Sequence, residues 1–103
     1  MKLALDTGCA ETLLIPGVLD DLGYSARDGE SMTYVTTALG REPGYRLRLA
    51  RFEALGFGFD DFLVHVHDLA DAAGLDGLLG LDFLSRFNYE VRSKEGLLRV
   101  EPA

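Results

Sequence analysis

Apolar positions in this chain come in short runs, and glycine punctuates them. Leu3 to Leu5 runs as an apolar strand into Asp6-Thr7-Gly8. Thr12 to Ile15 predicts a second strand, stopped by Pro16-Gly17. Val18 to Leu22 predicts one helical turn, with Gly23 as its C-terminal stop. Met32 to Thr37 is rich in β-formers, and Gly40-Arg41-Glu42-Pro43-Gly44 predicts the tip of a hairpin. Tyr45 to Leu49 alternates apolar with basic residues, the period of a half-buried strand. Phe52 to Leu55 resumes in the other phase, as a bulge would cause. Gly56-Phe57-Gly58 then predicts a turn. Phe59 to His67 predicts a strand with Phe62, Val64 and Val66 on one face. Asp68 to Asp76 is expected as loop or helical turn. Leu81 to Phe87 predicts one short helix, and Tyr89–Arg92 with Leu97–Val100 a closing hairpin around Ser93 to Gly96. The sum is a mostly β chain with at most two short helices.

Length and charge narrow the classes of function. The 103 residues make one domain, 1–103, with a single modest core. Ten basic against 17 acidic residues give a net charge of −7. That argues against nucleic acid, whose phosphates demand lysine and arginine, and against an anionic membrane surface. No apolar run approaches the ~20 residues of a membrane span. One cysteine, Cys9, rules out an internal disulfide. The default address is the cytoplasm, and a targeting or anchor segment would have to lie upstream.

Two segments carry candidate chemistry. In the first, Asp6 follows an apolar strand and opens a tight turn with Thr7 and Gly8, before the apolar Leu13 to Ile15. A carboxylate at the end of an apolar strand needs a reason, because its desolvation is costly. Taken singly, the tripeptide also fits an ordinary turn between strands. The second is Gly77-Leu78-Leu79-Gly80-Leu81-Asp82-Phe83-Leu84, an apolar strand entering a helix. Asp82 lies in the helix's first turn, where the dipole favours negative charge.

Together, in this order and spacing, the segments resemble the retropepsin-like aspartic proteases of the bacterial single-domain type. The resemblance covers nearly the whole chain. It implies an all-β fold, a small closed barrel of the acid-protease type with one short C-terminal helix. It implies Asp6 as the catalytic carboxylate, with Thr7 and Gly8 shaping the active-site turn. Leu78, Leu79 and Gly80 become the psi-type structural element. Ala10, Leu39, Gly40 and Arg41 fall at substrate-binding or flap positions. The family's chemistry needs two carboxylates, and no second Asp-Thr-Gly or Asp-Ser-Gly occurs here. The resemblance therefore implies a homodimer with Asp6 from each copy, acting on an extended peptide or protein, without metal or organic cofactor.

Three departures qualify it. Only five residues precede Asp6, and they reach about 16 Å when extended, so an upstream strand is expected to be lacking. Ala10 stands where viral members carry an acidic residue that grips substrate, and Leu81 where they carry its arginine partner. The flap rests on Gly40, Pro43 and Gly44. Two alternatives follow: a non-catalytic dimerisation or peptide-binding module, and a protease domain that needs upstream sequence.

Other polar residues have plain expectations. His65 and His67 share one strand face, expected as solvated; a metal there would lack a third ligand. Cys9 is expected as a small buried residue, having no local histidine to activate it. Arg46, Arg48 and Arg51 are expected to pair with surplus surface acids. Asp20-Asp21 and Asp60-Asp61 are expected as solvated turn residues, and Glu11 as an exposed neighbour of the Asp6 turn.

Overall fold

The computed structural model describes residues 2–37, 40–69 and 74–102. Eight strands and two short helices follow one another: β1 (Leu3–Leu5), β2 (Leu13–Leu14), α1 (Pro16–Asp21), β3 (Gly29–Thr37), β4 (Gly40–Ala54), β5 (Phe57–Val66), β6 (Gly77–Leu79), α2 (Leu81–Leu84), β7 (Phe87–Arg92) and β8 (Leu97–Pro102). Six of them form a curled half-barrel sheet in the order β1-β6-β2-β5-β4-β3, and β7 and β8 form a separate hairpin. The fold is all-β, as the sequence implied.

Sequence neighbours β1 and β2 are not sheet neighbours. β6 lies between them, parallel to β1 (Leu3↔Gly77, Leu5↔Leu79) and antiparallel to β2 (Leu13↔Leu78). Gly77 makes this possible, since a Cβ there would collide with the Leu13 carbonyl. Helix α1 begins on Pro16, whose fixed φ suits a first helical position, and the chain leaves it through Gly23 at φ +86°.

Several boundaries differ from the sequence reading. The β3–β4 ladder continues through Tyr34↔Pro43 to Thr37↔Gly40, so Gly40 to Gly44 is strand rather than hairpin tip. Pro43 is tolerated because it lies beyond the last β5 partner, with only β3 beside it. Leu39 lies outside the described residues. The next turn is Leu55-Gly56, both at positive φ (54° and 83°), and Phe57 and Gly58 already belong to β5. Two central residues at positive φ define a type I′ turn, whose twist matches a hairpin. Leucine is costly there and half exposed. Leu55→Asn is expected to stabilise the chain by ~0.5–1 kcal/mol, read by urea unfolding.

The phase change in β4 involves no inserted residue. Pairing keeps one register from Tyr45↔Val66 to Ala54↔Phe57. Between Leu49 and Phe52 both strands deform together. Asp61 takes φ +52°, the Arg48 guanidinium bonds its carbonyl at 2.8 Å, and the Ala50 N–H turns to the Tyr24 hydroxyl at 3.1 Å. Asp60 and Asp61 are therefore strand residues, and Asp60 pairs with Arg51 at 3.0 Å.

One face of β4 and β5 buries Leu47, Leu49, Phe52, Phe62, Val64 and Val66 against Leu14, Leu19, Leu79 and α2. Phe83 anchors the aromatic part, edge-on to Phe52 (5.6 Å) and Phe59 (5.4 Å). Helix α2 ends at Leu84 rather than reaching Phe87. Phe87 instead starts β7 and packs on Phe57 (4.5 Å) and Phe83 (5.4 Å), contacts a continued helix would forfeit.

Candidate active site

Asp6 follows directly on β1. Its N–H donates to the Leu79 carbonyl at 3.0 Å, tying it to β6. The chain then turns sharply. The Gly8 N–H donates to the Asp6 carboxylate at 2.9 Å, and the Cys9 N–H to the Asp6 carbonyl at 3.2 Å. The carboxylate is thus held over its own turn by a backbone amide, the role aspartate plays in tight turns. A Cβ on Gly8 would stand 3.3 Å from that carboxylate oxygen, closer than side chains usually tolerate. Asp6 is half-buried, while Thr7 and Gly8 are exposed on the same turn.

The turn is fastened to the segment that leads into α2. The Leu81 N–H donates to the Cys9 carbonyl (2.8 Å) and the Asp82 N–H to the Ala10 carbonyl (3.1 Å). Gly80 passes so close that a Cβ would lie 2.7 Å from the Cys9 carbonyl oxygen. Leu78, Leu79 and Gly80 therefore stand beneath the Asp6 turn. Ala10 is exposed, and its contribution here is its backbone carbonyl.

Sequence reasoning missed a clamp at the centre of this arrangement. Thr12 is fully buried, and its N–H donates to one Asp82 carboxylate oxygen at 2.9 Å. Its hydroxyl donates to the other oxygen at 2.7 Å and accepts from the Gly80 N–H at 3.2 Å. The Phe83 N–H adds a fourth bond, to Asp82 Oδ1 at 2.8 Å. Asp82 thus favours the helix start, and its main task is to join chain segments 70 residues apart. The signal in the sequence was a threonine opening an apolar run.

The surrounding polar residues divide. Glu11 is half-buried rather than exposed, held by Arg46 at 2.8 Å. Arg48 pairs with Glu30 (2.8 Å) and Arg51 with Glu53 (2.9 Å) and Asp60, the surface pairing expected of the three arginines. A groove of about 250 Å³ flanks the clamp, lined by Glu11, Arg48, Asp61, Asp82 and Arg86 among others. Cys9 is half-buried, and its thiol donates to the Glu11 carbonyl at 2.8 Å. Burial, reinforced by the Asp6, Asp82 and Glu11 charges, raises the thiol pKa. Cys9 is therefore protonated at neutral pH and a poor nucleophile.

His65 and His67 do share a face, but not a solvated one: His67 is 7% exposed. The β3–β4 hairpin covers them, placing Thr33 Oγ1 2.6 Å from His65 Nε2 and Glu42 3.4 Å from His67 Nε2. Among the described residues, no three His, Cys, Asp or Glu side chains are grouped to hold a metal ion. No described helix is long and apolar enough to cross a membrane.

A half-barrel sheet carrying an Asp-Thr-Gly turn braced by a glycine-bearing strand is the architecture of the retropepsin-like aspartic proteases. The family described as gag-polyprotein putative aspartyl protease matches residues 1–86, and the chain belongs to it. Its structure is similar to the crystal structure of a retropepsin-like aspartic protease from Rickettsia conorii, with a TM-score of 0.71 and 25% sequence identity. That likeness covers 93% of this chain and 69% of the other. No curated protein sequence matches the chain.

Proposed function

We propose that the chain is an aspartic endopeptidase acting as a homodimer, with one Asp6 from each copy forming the catalytic dyad. The observation that carries the reading is the Asp6 turn itself. The Asp6 carboxylate accepts from the Gly8 amide, the Asp6 N–H is tied to the Leu79 carbonyl, and the sequence holds one Asp-Thr-Gly. Two carboxylates brought together cannot both ionise, so they would share one proton. The unprotonated member takes a proton from water as its oxygen adds to the scissile carbonyl carbon. The protonated member gives its proton to the departing amine nitrogen as the C–N bond breaks. The products are a carboxylic acid and an amine, and the dyad returns with one proton.

The surface fits this assignment. Leu5, Thr7 and Gly8 are exposed around Asp6, where a second copy would meet the first. By family resemblance, the Thr7 side chains lock the two turns across the axis, and Gly8 offers its backbone to substrate. The hairpin arms 33–37 and 40–44, with Gly40 and Arg41, would close over an extended peptide held by strand-like hydrogen bonds. The viral grip through an acidic residue and its arginine is not expected to apply, because Ala10 and Leu81 occupy those positions.

The test is cleavage of a mixed library of unstructured peptides across pH ~4–7, the window of a dyad holding one proton, with sedimentation run in parallel. The expected result is cleavage that rises with the dimer fraction. Cleavage proportional to monomer, or a dimer inert on every peptide, would overturn the reading.

A further inference from the structure

The β3–β4 hairpin outruns the sheet that carries it. β5 stops pairing at Tyr45↔Val66, whereas β3 and β4 stay paired from Thr33↔Gly44 to Thr37↔Gly40. Gly44 is thus the first β4 residue beyond the β5 pairing, at the base of the projecting hairpin. One side chain is wedged at that point. A Cβ on Gly44 would lie 3.0 Å from His65 Nε2 and 2.9 Å from Thr33 Oγ1. The same ring nitrogen is 2.6 Å from Thr33 Oγ1, and the other, Nδ1, faces Glu11 at 3.8 Å. The backbone of His65 is fixed to the site as well, its N–H donating to the Thr12 carbonyl at 2.9 Å.

We propose that His65 is the positioning residue of this hairpin, joining both strands of its base to the Glu11 loop that follows the Asp6 turn. Thr33 and Gly44 belong to the hairpin, Glu11 to the loop, and His65 touches all three. Nothing in the family assignment names this contact. Its consequence for cleavage rests on the protease reading above; the contact itself does not.

The charges around the ring set a direction for pH. Glu11 favours a proton on His65, whereas Arg46, already bonded to Glu11, and His67, its ring 6.4 Å away, oppose it. Burial is the largest influence, and the pKa lies below its ordinary value of 6.5. The neutral ring therefore stabilises the closed base fully above the unfolded value, and that contribution is lost as pH falls through the folded one. The His67 Nδ1 donates to the Asp68 carbonyl at 2.7 Å, and its Nε2 faces Glu42 at 3.4 Å. Glu42 is 43% exposed, and a contact so open to water contributes little. His65 decides the outcome, and acid loosens the hairpin.

The experiment is amide hydrogen exchange of segments 33–37 and 40–44 in the full chain, at pH 7.5 and 5.5, corrected for intrinsic rates. Wild type is compared with His65→Leu, His65→Gln and Glu42→Gln. In wild type, protection is expected to fall several-fold at the lower pH. His65→Leu is expected to lose roughly tenfold at pH 7.5, the scale of one missing hydrogen bond to Thr33. His65→Gln keeps an acceptor for the Thr33 hydroxyl but no titrating ring, so protection should be retained at both pH values. Glu42→Gln should leave the acid loosening in place. Wild-type protection in His65→Leu, or an undiminished pH response in His65→Gln, would overturn the proposal. If His65→Leu fails to fold, His65→Gln still decides. Protection is read without substrate, so a failed cleavage assay counts against the protease reading and not against this contact. Where cleavage is seen, His65→Leu should raise KM far more than it lowers kcat.

Discussion

Asp6→Asn is expected to lower kcat/KM on any peptide the wild type cleaves by at least ~10²–10⁴-fold, the range attributed to positioned acid–base groups. The amide has nearly the shape of the carboxylate, and its oxygen can still accept from the Gly8 N–H that now bonds Asp6 at 2.9 Å. The turn and the proposed dimer should therefore survive, with unchanged circular dichroism and sedimentation. What is lost is the ability to take a proton from water and return it to the leaving nitrogen. A mixture of wild-type and mutant copies sharpens the test. In a homodimer, one Asn per site removes the shared proton, so excess mutant should suppress wild-type cleavage. Residual wild-type cleavage in pure mutant would rule Asp6 out as the catalytic group.

Asp82→Ala should produce the largest loss of stability near the site. Four donors converge on Asp82 and its partner hydroxyl: the amides of Thr12, Phe83 and Gly80, and the Thr12 hydroxyl itself. Thr12 is fully buried, so its N–H and O–H would be stranded without water to replace the carboxylate. Each stranded buried group costs about 1–3 kcal/mol, giving an expected loss of ~3–4 kcal/mol in urea unfolding. Asp82→Asn keeps one acceptor oxygen and should cost less than half as much. If Asp82→Ala proved as stable as wild type, the clamp would be ornamental, and the Gly80 approach would hold the turn unaided.

The parts of this architecture that sequence alone revealed are those written in local chemistry. The Asp-Thr-Gly turn, the Gly77-to-Leu84 segment, the alternation of Phe62, Val64 and Val66, and the closing hairpin each carry their signal within a few residues. The misread parts depend on partners far along the chain. Gly40 to Gly44 has the composition of a turn, yet β3 supplies a strand partner for each residue as far as Gly40. His65 and His67 read as a wet strand face until Thr33 and Glu42 are folded over them. Asp82 looked like a helix-start residue because its bond to Thr12 spans 70 positions. The β4 phase change resembled a bulge, since neither the Tyr24 hydroxyl nor the inverted φ of Asp61 is legible locally.

The insertion of β6 between β1 and β2 also orders events during synthesis. Asp6 leaves the ribosome well before Leu79, yet the carbonyl that receives its amide belongs to Leu79. The lysine beside β1 waits equally long, with its amide bonded to the Asp76 carboxylate at 2.7 Å. Such distant closures are slow, because the intervening chain must be gathered before any contact compensates for its lost freedom. A nascent chain thus carries its aspartate without the brace that shapes it until β6 has been made. Any copy cut or stalled before residue 77 holds an unformed turn. A chain of this topology presents a braced Asp6 only after β6 has slid between β1 and β2.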